Sequence, residues 1–510
     1  MGDEGFSTPR KRRILACVSG VSFMIMLDSN IVAVSLPAIA RSLGADFASV
    51  EWVVSAYILA FASCLMTAGS LADRYGRRRV LILGLGVFTL ASGLCGLART
   101  PGLLNAARGL QGAGAALQLS AALAVLGHEF RGAERARAYA VWGTVIGVAV
   151  TSGPIIGGLI TSWLGWQFAF LVNLPIGAGL LGLAATAVPE SKDPEARTLD
   201  YLGALLLGSG IFALVWGVIG AGGHGWAGAQ TWGRLVLGGV LLLALILVEA
   251  RQERPMMDLS LFRDATFLGS SFSMLGFAGA AQVMMTFLPL YLQTAYGSSP
   301  AQAGLRMLPF ALPLFLCPRL ASRIAGRVSG RALLTGGLVV VAAGDLVTAL
   351  AAPTLNYALV AFGMAIVGCG AGLLNGETAR VQMSAAPPER GGMASGISAT
   401  TRFIGLLFGV AGLGAVLTLR LHAHFLAHAD LLGGPGSGGA GAFAERVAAG
   451  NLGNAMVAIP EPVRTAVTGA ARAGFAGAFS AVLLIASLVA VVASALSWML
   501  IRYQDTKPLA

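Results

Sequence analysis

Residues 138–189 contain no Asp, Glu, Lys, Arg or His, and no other feature restricts the fold so strongly. A run of that length cannot lie on the water-facing surface of a soluble domain. A helix needs about 20 residues to cross the hydrocarbon core of a bilayer, so the stretch holds two crossings. Thr161-Ser162-Trp163-Leu164-Gly165-Trp166 divides them, with both tryptophans expected as anchors at the membrane interface. Applied along the chain, the same criterion gives runs at about 14–36, 51–72, 79–98, 102–126, 138–161, 165–188, 201–221, 232–250, 265–293, 301–325, 331–352, 356–380, 392–419 and 474–501, hence fourteen helices. Only 11% of the 510 residues are charged, where soluble domains carry about a quarter. The expected class is an all-α polytopic membrane protein.

The net charge of +11 carries topological information. Basic residues gather at Arg10, Lys11, Arg12 and Arg13, at Arg74, Arg77, Arg78 and Arg79, at Arg131, Arg135 and Arg137, and at Arg319, Arg323, Arg327 and Arg331. Alternating helices place all four groups on one side. The positive-inside rule makes that side the cytoplasm, with both termini in it and the chain in the cell (inner) membrane. A nucleic-acid partner is not expected, because it needs basic residues clustered on a polar surface. Cys17, Cys64, Cys95, Cys317 and Cys369 lie in apolar runs, so no disulfide framework is indicated. None of Lys11, Lys192 and Lys507 follows a phosphate-loop glycine pattern, which argues against an ATP-driven pump. The stretch Arg10 to Asp28 imitates a secretory signal but lacks a convincing cleavage site, and it reads as an uncleaved first helix.

The polar segment Pro189-Glu190-Ser191-Lys192-Asp193-Pro194-Glu195 closes a six-helix half. The expected organisation is a cytoplasmic N-terminus 1–13, a six-helix half 14–188, an insert of two helices with its linkers 189–264, a second six-helix half 265–502, and a tail 503–510. Duplicated halves of this kind imply a central cavity at their interface. Within the second half, 421–473 is the long outer loop. Its Gly433-to-Gly439 segment has flexible-linker composition, and 443–473 has the spacing of a short amphipathic hairpin on the outer surface.

Several local motifs stand out. Gly69-Ser70-Leu71-Ala72-Asp73-Arg74-Tyr75-Gly76-Arg77-Arg78-Arg79 joins the second and third helices. Leu27-Asp28-Ser29-Asn30-Ile31-Val32-Ala33-Val34-Ser35-Leu36-Pro37 lies in the first helix, Arg108-Gly109-Leu110-Gln111-Gly112-Ala113-Gly114 in the fourth, and Gly153-Pro154-Ile155-Ile156-Gly157-Gly158 in the fifth. Asn173-Leu174-Pro175 and Arg402-Phe403-Ile404-Gly405 follow. Together these resemble the major facilitator superfamily, and the fourteen-helix plan resembles its fourteen-span drug:proton antiporter group. The first-helix motif departs from that group at Asn30 and Ala33, where Thr and Asn are usual. The resemblance implies the major facilitator fold, with two six-helix halves plus two inserted helices. It also implies a gating latch at Gly69, Asp73, Arg74, Gly76 and Arg77, and an antiporter motif at Gly153, Pro154, Gly157 and Gly158. The physical reading of those glycines is close helix packing, with or without a role in setting transport direction.

Charges inside the membrane are costly and mark function by default. Asp28, Arg108, Asp345, Glu377 and Arg402 fall in this class. Counting about 1.5 Å per residue puts Asp28, Arg108 and Asp345 at similar depth in the outer half. Glu377 and Arg402 fall at a common inner depth, where they can pair. Arg108, Gln111, Ala115 and Gln118 share one stripe of the fourth helix, which either lines a watery cavity or packs against other helices. Asp28 is expected to carry an exchangeable proton with Arg108 tuning it, the alternative being a static bridge. Asp345 is either a local structural group or a site residue, and Glu377 either a substrate or proton site or a structural partner of Arg402. His422, His424 and His428 are taken as interfacial, so no metal is expected, and no cofactor or catalytic constellation is implied.

The function expected from these features is proton-coupled antiport that exports lipophilic, cationic drugs or toxic compounds. The partners are a small-molecule substrate, protons and the lipid bilayer, and the chain is expected to be a monomer. The same architecture also serves export of an endogenous metabolite or lipid, or solute:proton symport. A membrane receptor or scaffold that transports nothing is the reading from another class.

Overall fold

The computed structural model describes residues 8–192, 200–252, 257–387, 390–428, 430, 439–457 and 459–506. The N-terminal residues 1–7, the linker residues 193–199, the glycine-rich 431–438 and the tail 507–510 lie outside the described residues. So does most of the expected flexible segment Gly433–Gly439.

Among the described residues there is no strand. Thirteen helices are long and apolar enough to cross a bilayer, and Pro300–Arg306 with Leu308–Ile324, bent by 42°, makes a fourteenth. The first eight are α1 Pro9–Leu43, α2 Phe47–Tyr75, α3 Arg77–Gly96, α4 Pro101–Glu129, α5 Gly132–Trp163, α6 Phe168–Ala187, α7 Tyr201–His224 and α8 Ala229–Glu249. The next five spans are α9 Ala265–Thr294, α10 (the bent pair), α11 Gly330–Ala351, α12 Tyr357–Ser384 and α13 Gly391–Ala427. The loop helices α14 Gly439–Ala448 and α15 Leu452–Met456 and the last span α16 Glu461–Leu500 complete the chain.

Side-chain caps define where the spans start. Asp46 accepts from the Ser49 amide, Thr100 from Leu103, Ser329 from Ala332 and Asn356 from Ala358, each satisfying an amide left free in the first turn. The uncharged 138–189 stretch does break where expected. α5 ends at Trp163, and Gly165 takes φ +99°, a turn that disfavours any side chain. Trp163 is 78% exposed, as an interface anchor should be, but Trp166 is 4% exposed and packs edge-on against Phe170. The expectation for Trp166 is corrected: it is a core residue.

α1 to α6 pack into one bundle and α9 to α13 with α16 into another. The inserted pair α7 and α8 pack on each other, and α7 lies against both α2 and α13, with Phe212 tilted against Trp52 at 5.7 Å. The insert thus covers one flank of the line where the two bundles meet. For convenience, the face holding residues 8 and 506 is called the terminal side and the opposite face the loop side.

The expected surface hairpin at 443–473 is not observed. α14 buries Phe443, Ala444 and Val447 against α13, with Phe425 and Phe443 edge-on at 4.9 Å. Residues 461–473 are the first turns of the 40-residue α16. Between them a strap crosses to the other bundle: Arg41 Nη1 donates to the Gly450 carbonyl at 3.3 Å and Asn454 Nδ2 to the Arg41 carbonyl at 3.2 Å.

Candidate transport site and gate

The charged centre of the first bundle is closed. Asp28 is 0% exposed and Arg108 1%. Asp28 Oδ2 accepts from Arg108 Nη1 at 2.7 Å, and Oδ1 accepts from Gln111 Nε2 at 2.8 Å and Asn173 Nδ2 at 2.7 Å. Arg108 donates further to Gln111 Oε1 at 2.6 Å and, through Nε, to the Val53 carbonyl at 2.9 Å. Its guanidinium lies 4.1 Å from the centre of the Tyr57 ring. Side chains of α4 and α6 therefore converge on one carboxylate of α1, and the partner cation is held further by Gln111 and the Val53 carbonyl of α2, which is what a charge needs to survive burial.

The stripe on α4 does not line water. Arg108, Gln111, Ala115 and Gln118 are all buried, and neither polar atom of Gln118 has a partner among the described residues. In the sequence Asn173 stands only as part of a motif, and its place as an Asp28 ligand comes from α6 folding back onto α1. Its one visible signal was a polar amide in an otherwise uncharged stretch.

The other intramembrane charges separate. Glu377 pairs with Arg380 within α12, Nε to Oε2 at 2.5 Å, and not with Arg402. Arg402 Nε donates to Gln282 Oε1 at 2.9 Å instead. Asp345 is 0% exposed, and neither oxygen has a hydrogen-bond partner among the described residues. It does not join Asp28. It lies on the face of α11 whose Ala342 and Ala349 carbonyls accept from Ser487 and Ser480 of α16, away from the first bundle. An unpartnered buried carboxyl is destabilising, so Asp345→Leu is expected to fold and to gain about 1–3 kcal/mol, seen as a higher thermal unfolding midpoint in detergent. A lower midpoint would show that Asp345 holds a necessary contact.

A carboxylate near a helix end ordinarily meets solvent, but Glu51 is 5% exposed, and its Oε1 has no partner among the described residues. The missing side chain of Gly414 on α13 leaves the room that this carboxyl occupies. This contact is not visible locally in the sequence, because α13 lies far along the chain.

The glycine motif of α5 makes the seam between the bundles. Gly158 meets the backbone of Pro300 and Ala301, and Gly304 of α10 meets the backbone of Pro154. Gly153 and Gly157 face Asn30 and Ile31 of α1, where an added Cβ would come within 2.5 Å of the Asn30 Cβ and 2.7 Å of the Ile31 Cα. Gln293 Nε2 donates to the Val34 carbonyl at 2.9 Å, adding a bond from α9 to α1. Toward the terminal side, Gly147 faces only the Phe315 ring and the first turns of α5 are largely exposed. The seam is tightest on the loop side.

On the terminal side the α2–α3 junction is tied to its own bundle. Asp73 Oδ1 accepts from Arg77 Nη2 at 2.9 Å. The Arg77 and Arg78 amides donate to the Ser191 carbonyl and Glu190 Oε1, at 3.0 and 3.2 Å. Gly76, at φ +112°, lies against the Glu190 carboxylate. Gly69 faces open space, and Arg74 lies over the ring of its neighbour Tyr75. No group of three or more His, Cys, Asp or Glu suited to a metal gathers among the described residues.

Comparison with known proteins places this architecture. The chain is 38% identical over 409 residues to multidrug resistance protein Stp of Mycobacterium tuberculosis, covering 80% of this chain and 76% of that protein. It is 38% identical over 412 residues to the cephamycin export protein CmcT of Amycolatopsis lactamdurans, covering 79% and 84%. In fold it is similar to a bacterial homologue of the human lysosomal transporter Spinster, solved inward-facing and occupied, with a TM-score of 0.66, 16% identity and coverage of 99% and 100%. Residues 18–410 match the family model of the Major Facilitator Superfamily. A match over most of the chain, joined to two six-helix bundles that meet along a glycine-lined seam, identifies this chain as a member of the Major Facilitator Superfamily.

Proposed function

We propose that this chain is a proton-coupled antiporter that exports lipophilic small molecules by alternating access, with its terminal side in the cytoplasm. The observation that carries the reading is the position of Asp28 on α1. The buried carboxylate that holds Arg108, Gln111 and Asn173 lies within two turns of Asn30, Ile31 and Val34, the α1 residues that meet Gly153, Gly157 and Gln293. Protonating Asp28 removes the negative charge that Arg108 neutralises and turns an acceptor-only group into a donor. Three donors then converge on a group with less acceptor capacity, and α1 must rotate or shift to relieve it. The same helix forms one wall of the seam, so proton binding and seam opening share a rigid body. The two curated relatives named above, one a multidrug resistance protein and one an antibiotic export protein, support export as the direction.

Asp28→Asn keeps the shape and one acceptor but cannot take up a proton. In proteoliposomes it is expected to abolish substrate flux driven by a pH gradient while leaving exchange of labelled for unlabelled substrate at equal pH within about threefold of wild type. Retained gradient-driven flux would remove Asp28 from proton coupling. Loss of both activities would make the group structural.

A further inference from the structure

The sequence alone suggested a cationic cargo, because three intramembrane carboxylates stood against two arginines. The structure redistributes those charges. Asp28 and Arg108 neutralise each other inside the first bundle, Glu377 pairs with Arg380, and Asp345 is enclosed between α11 and α16. At the meeting line of the bundles, Glu51 is lodged beside Gly414 toward the loop side, and Arg402 stands apart from it as the uncompensated positive charge.

Resting on the export reading, we infer that Arg402 is the anchor of a substrate subsite for amphipathic aromatic molecules bearing a carboxylate. Arg402 is half-buried about a third of the way along α13 from its terminal-side end. Its neighbour Phe403 packs at a tilt against Phe61 of the other bundle with ring centres 4.3 Å apart, so the position is at the interface where an alternating-access carrier must hold its cargo. Only Nε is bonded, to Gln282, and both Nη groups lack an acceptor among the described residues. The guanidinium lies 5.6 Å from the centre of the Phe277 ring. A six-residue π-helical segment, Phe277–Gln282, interrupts α9 here and presents both Phe277 and Gln282 to Arg402, and such segments recur at functional sites.

No carboxylate stands in for the missing partner. The part of α2 between Glu51 and Asp73 and the whole of α9 carry no Asp, Glu, Lys, Arg or His, and α16 carries none after Arg472. Of the acidic groups brought to α13, Glu377 is bonded to Arg380, Asp258 to Arg390 and Glu445 to His422 at 3.1 Å, while Glu51 lies beside Gly414, about three helical turns from Arg402. A guanidinium that keeps two Nη groups free offers a planar fork matched to a carboxylate, and Phe277 supplies aromatic surface beside it. In this low-dielectric position the uncompensated charge favours an anion and penalises a cation.

Pyrene-butyrate, its carboxamide and pyrene-butyl-trimethylammonium share one ring system and differ in charge. Their binding to the full chain in nanodiscs of zwitterionic lipid, followed by pyrene fluorescence at pH 7, tests the inference. Pyrene-butyrate is expected to bind about tenfold or more tighter than the carboxamide. Arg402→Gln should erase that preference by weakening the butyrate alone, and Arg402→Lys should restore part of it. Tightest binding of the trimethylammonium compound, equal weakening of all three by Arg402→Gln, or no binding of the butyrate overturns the inference. Adding anionic phosphatidylglycerol separates the sources: if it displaces the butyrate completely, the fork is a lipid headgroup site and the inference also fails. Because the assay needs no pH gradient, it stays informative if proton-coupled export itself is disproved by the flux experiment.

Discussion

Gly158→Val is expected to hold the two bundles apart on the loop side and to cut gradient-driven flux by about tenfold or more. The reason lies in what the glycine faces. An added Cβ at 158 meets the Pro300 carbonyl and the Ala301 Cα, main-chain atoms that cannot turn aside as a flexible side chain can. Overpacking of this kind costs about 1–3 kcal/mol, and only the state with the seam closed bears the cost. The equilibrium therefore moves toward separation by about one to two powers of ten. Spin labels at the exposed Leu164 and Leu305, one on each bundle, should report a longer mean distance. Gly157→Val provides the contrast, since it faces Ile31 of α1 within the same bundle. It should lower the thermal midpoint and leave the distance distribution in place. Unchanged distances in Gly158→Val would remove the glycine motif from gating.

The second large effect concerns the buried pair. Arg108→Met leaves Asp28 without its cation in a region that water does not reach, and is expected to cost about 3–5 kcal/mol of stability. Asp28→Asn strands Arg108 in turn, although Val53, Gln111 and the Tyr57 ring still hold it, so its cost should be smaller. In the double variant Asp28→Asn/Arg108→Met neither charge is stranded, and most of the lost stability should return. A coupling energy of about 2 kcal/mol or more from the complete cycle, read from thermal unfolding in detergent, fits the geometry. The transport assay then separates a carrier of protons from a static bridge. A stable double variant should exchange substrate yet ignore a pH gradient, whereas coupling intact in it would mean that the pair serves only to hold the helices.

The spans were legible because their signals are local: apolar length, a capping side chain and a break at Gly165. Depth along each helix was legible too, which is why Asp28 and Arg108 could be matched before their contact was seen. Direction around the helix was not. Glu377 and Arg402 share a depth, but Glu377 turns to Arg380 one turn away and Arg402 turns to Gln282. The π-helical segment Phe-Ala-Gly-Ala-Ala-Gln has no distinctive composition, so nothing in the sequence announced the residue that would bind Arg402. The burial of Glu51 is hidden for a related reason: it lies near a helix end, and the Gly414 that makes room for it is remote in sequence.

The strap on the loop side makes few demands on its own sequence. Gly450 is constrained, since it takes φ +74° and sits against Pro37 and Leu290. Asn454 is constrained because its amide reaches the Arg41 carbonyl. Arg41 in turn grips the strap by the carbonyl of residue 450, an atom that every amino acid supplies. Beyond the buried Ala449, Asn451 and Ala455, exposed side chains between α14 and α16 are consequently free to drift as related chains diverge, even where the strap still ties the two bundles together. Divergence in that stretch is a poor clock for divergence in transport, and the two anchored positions are where inheritance of the tie should be read.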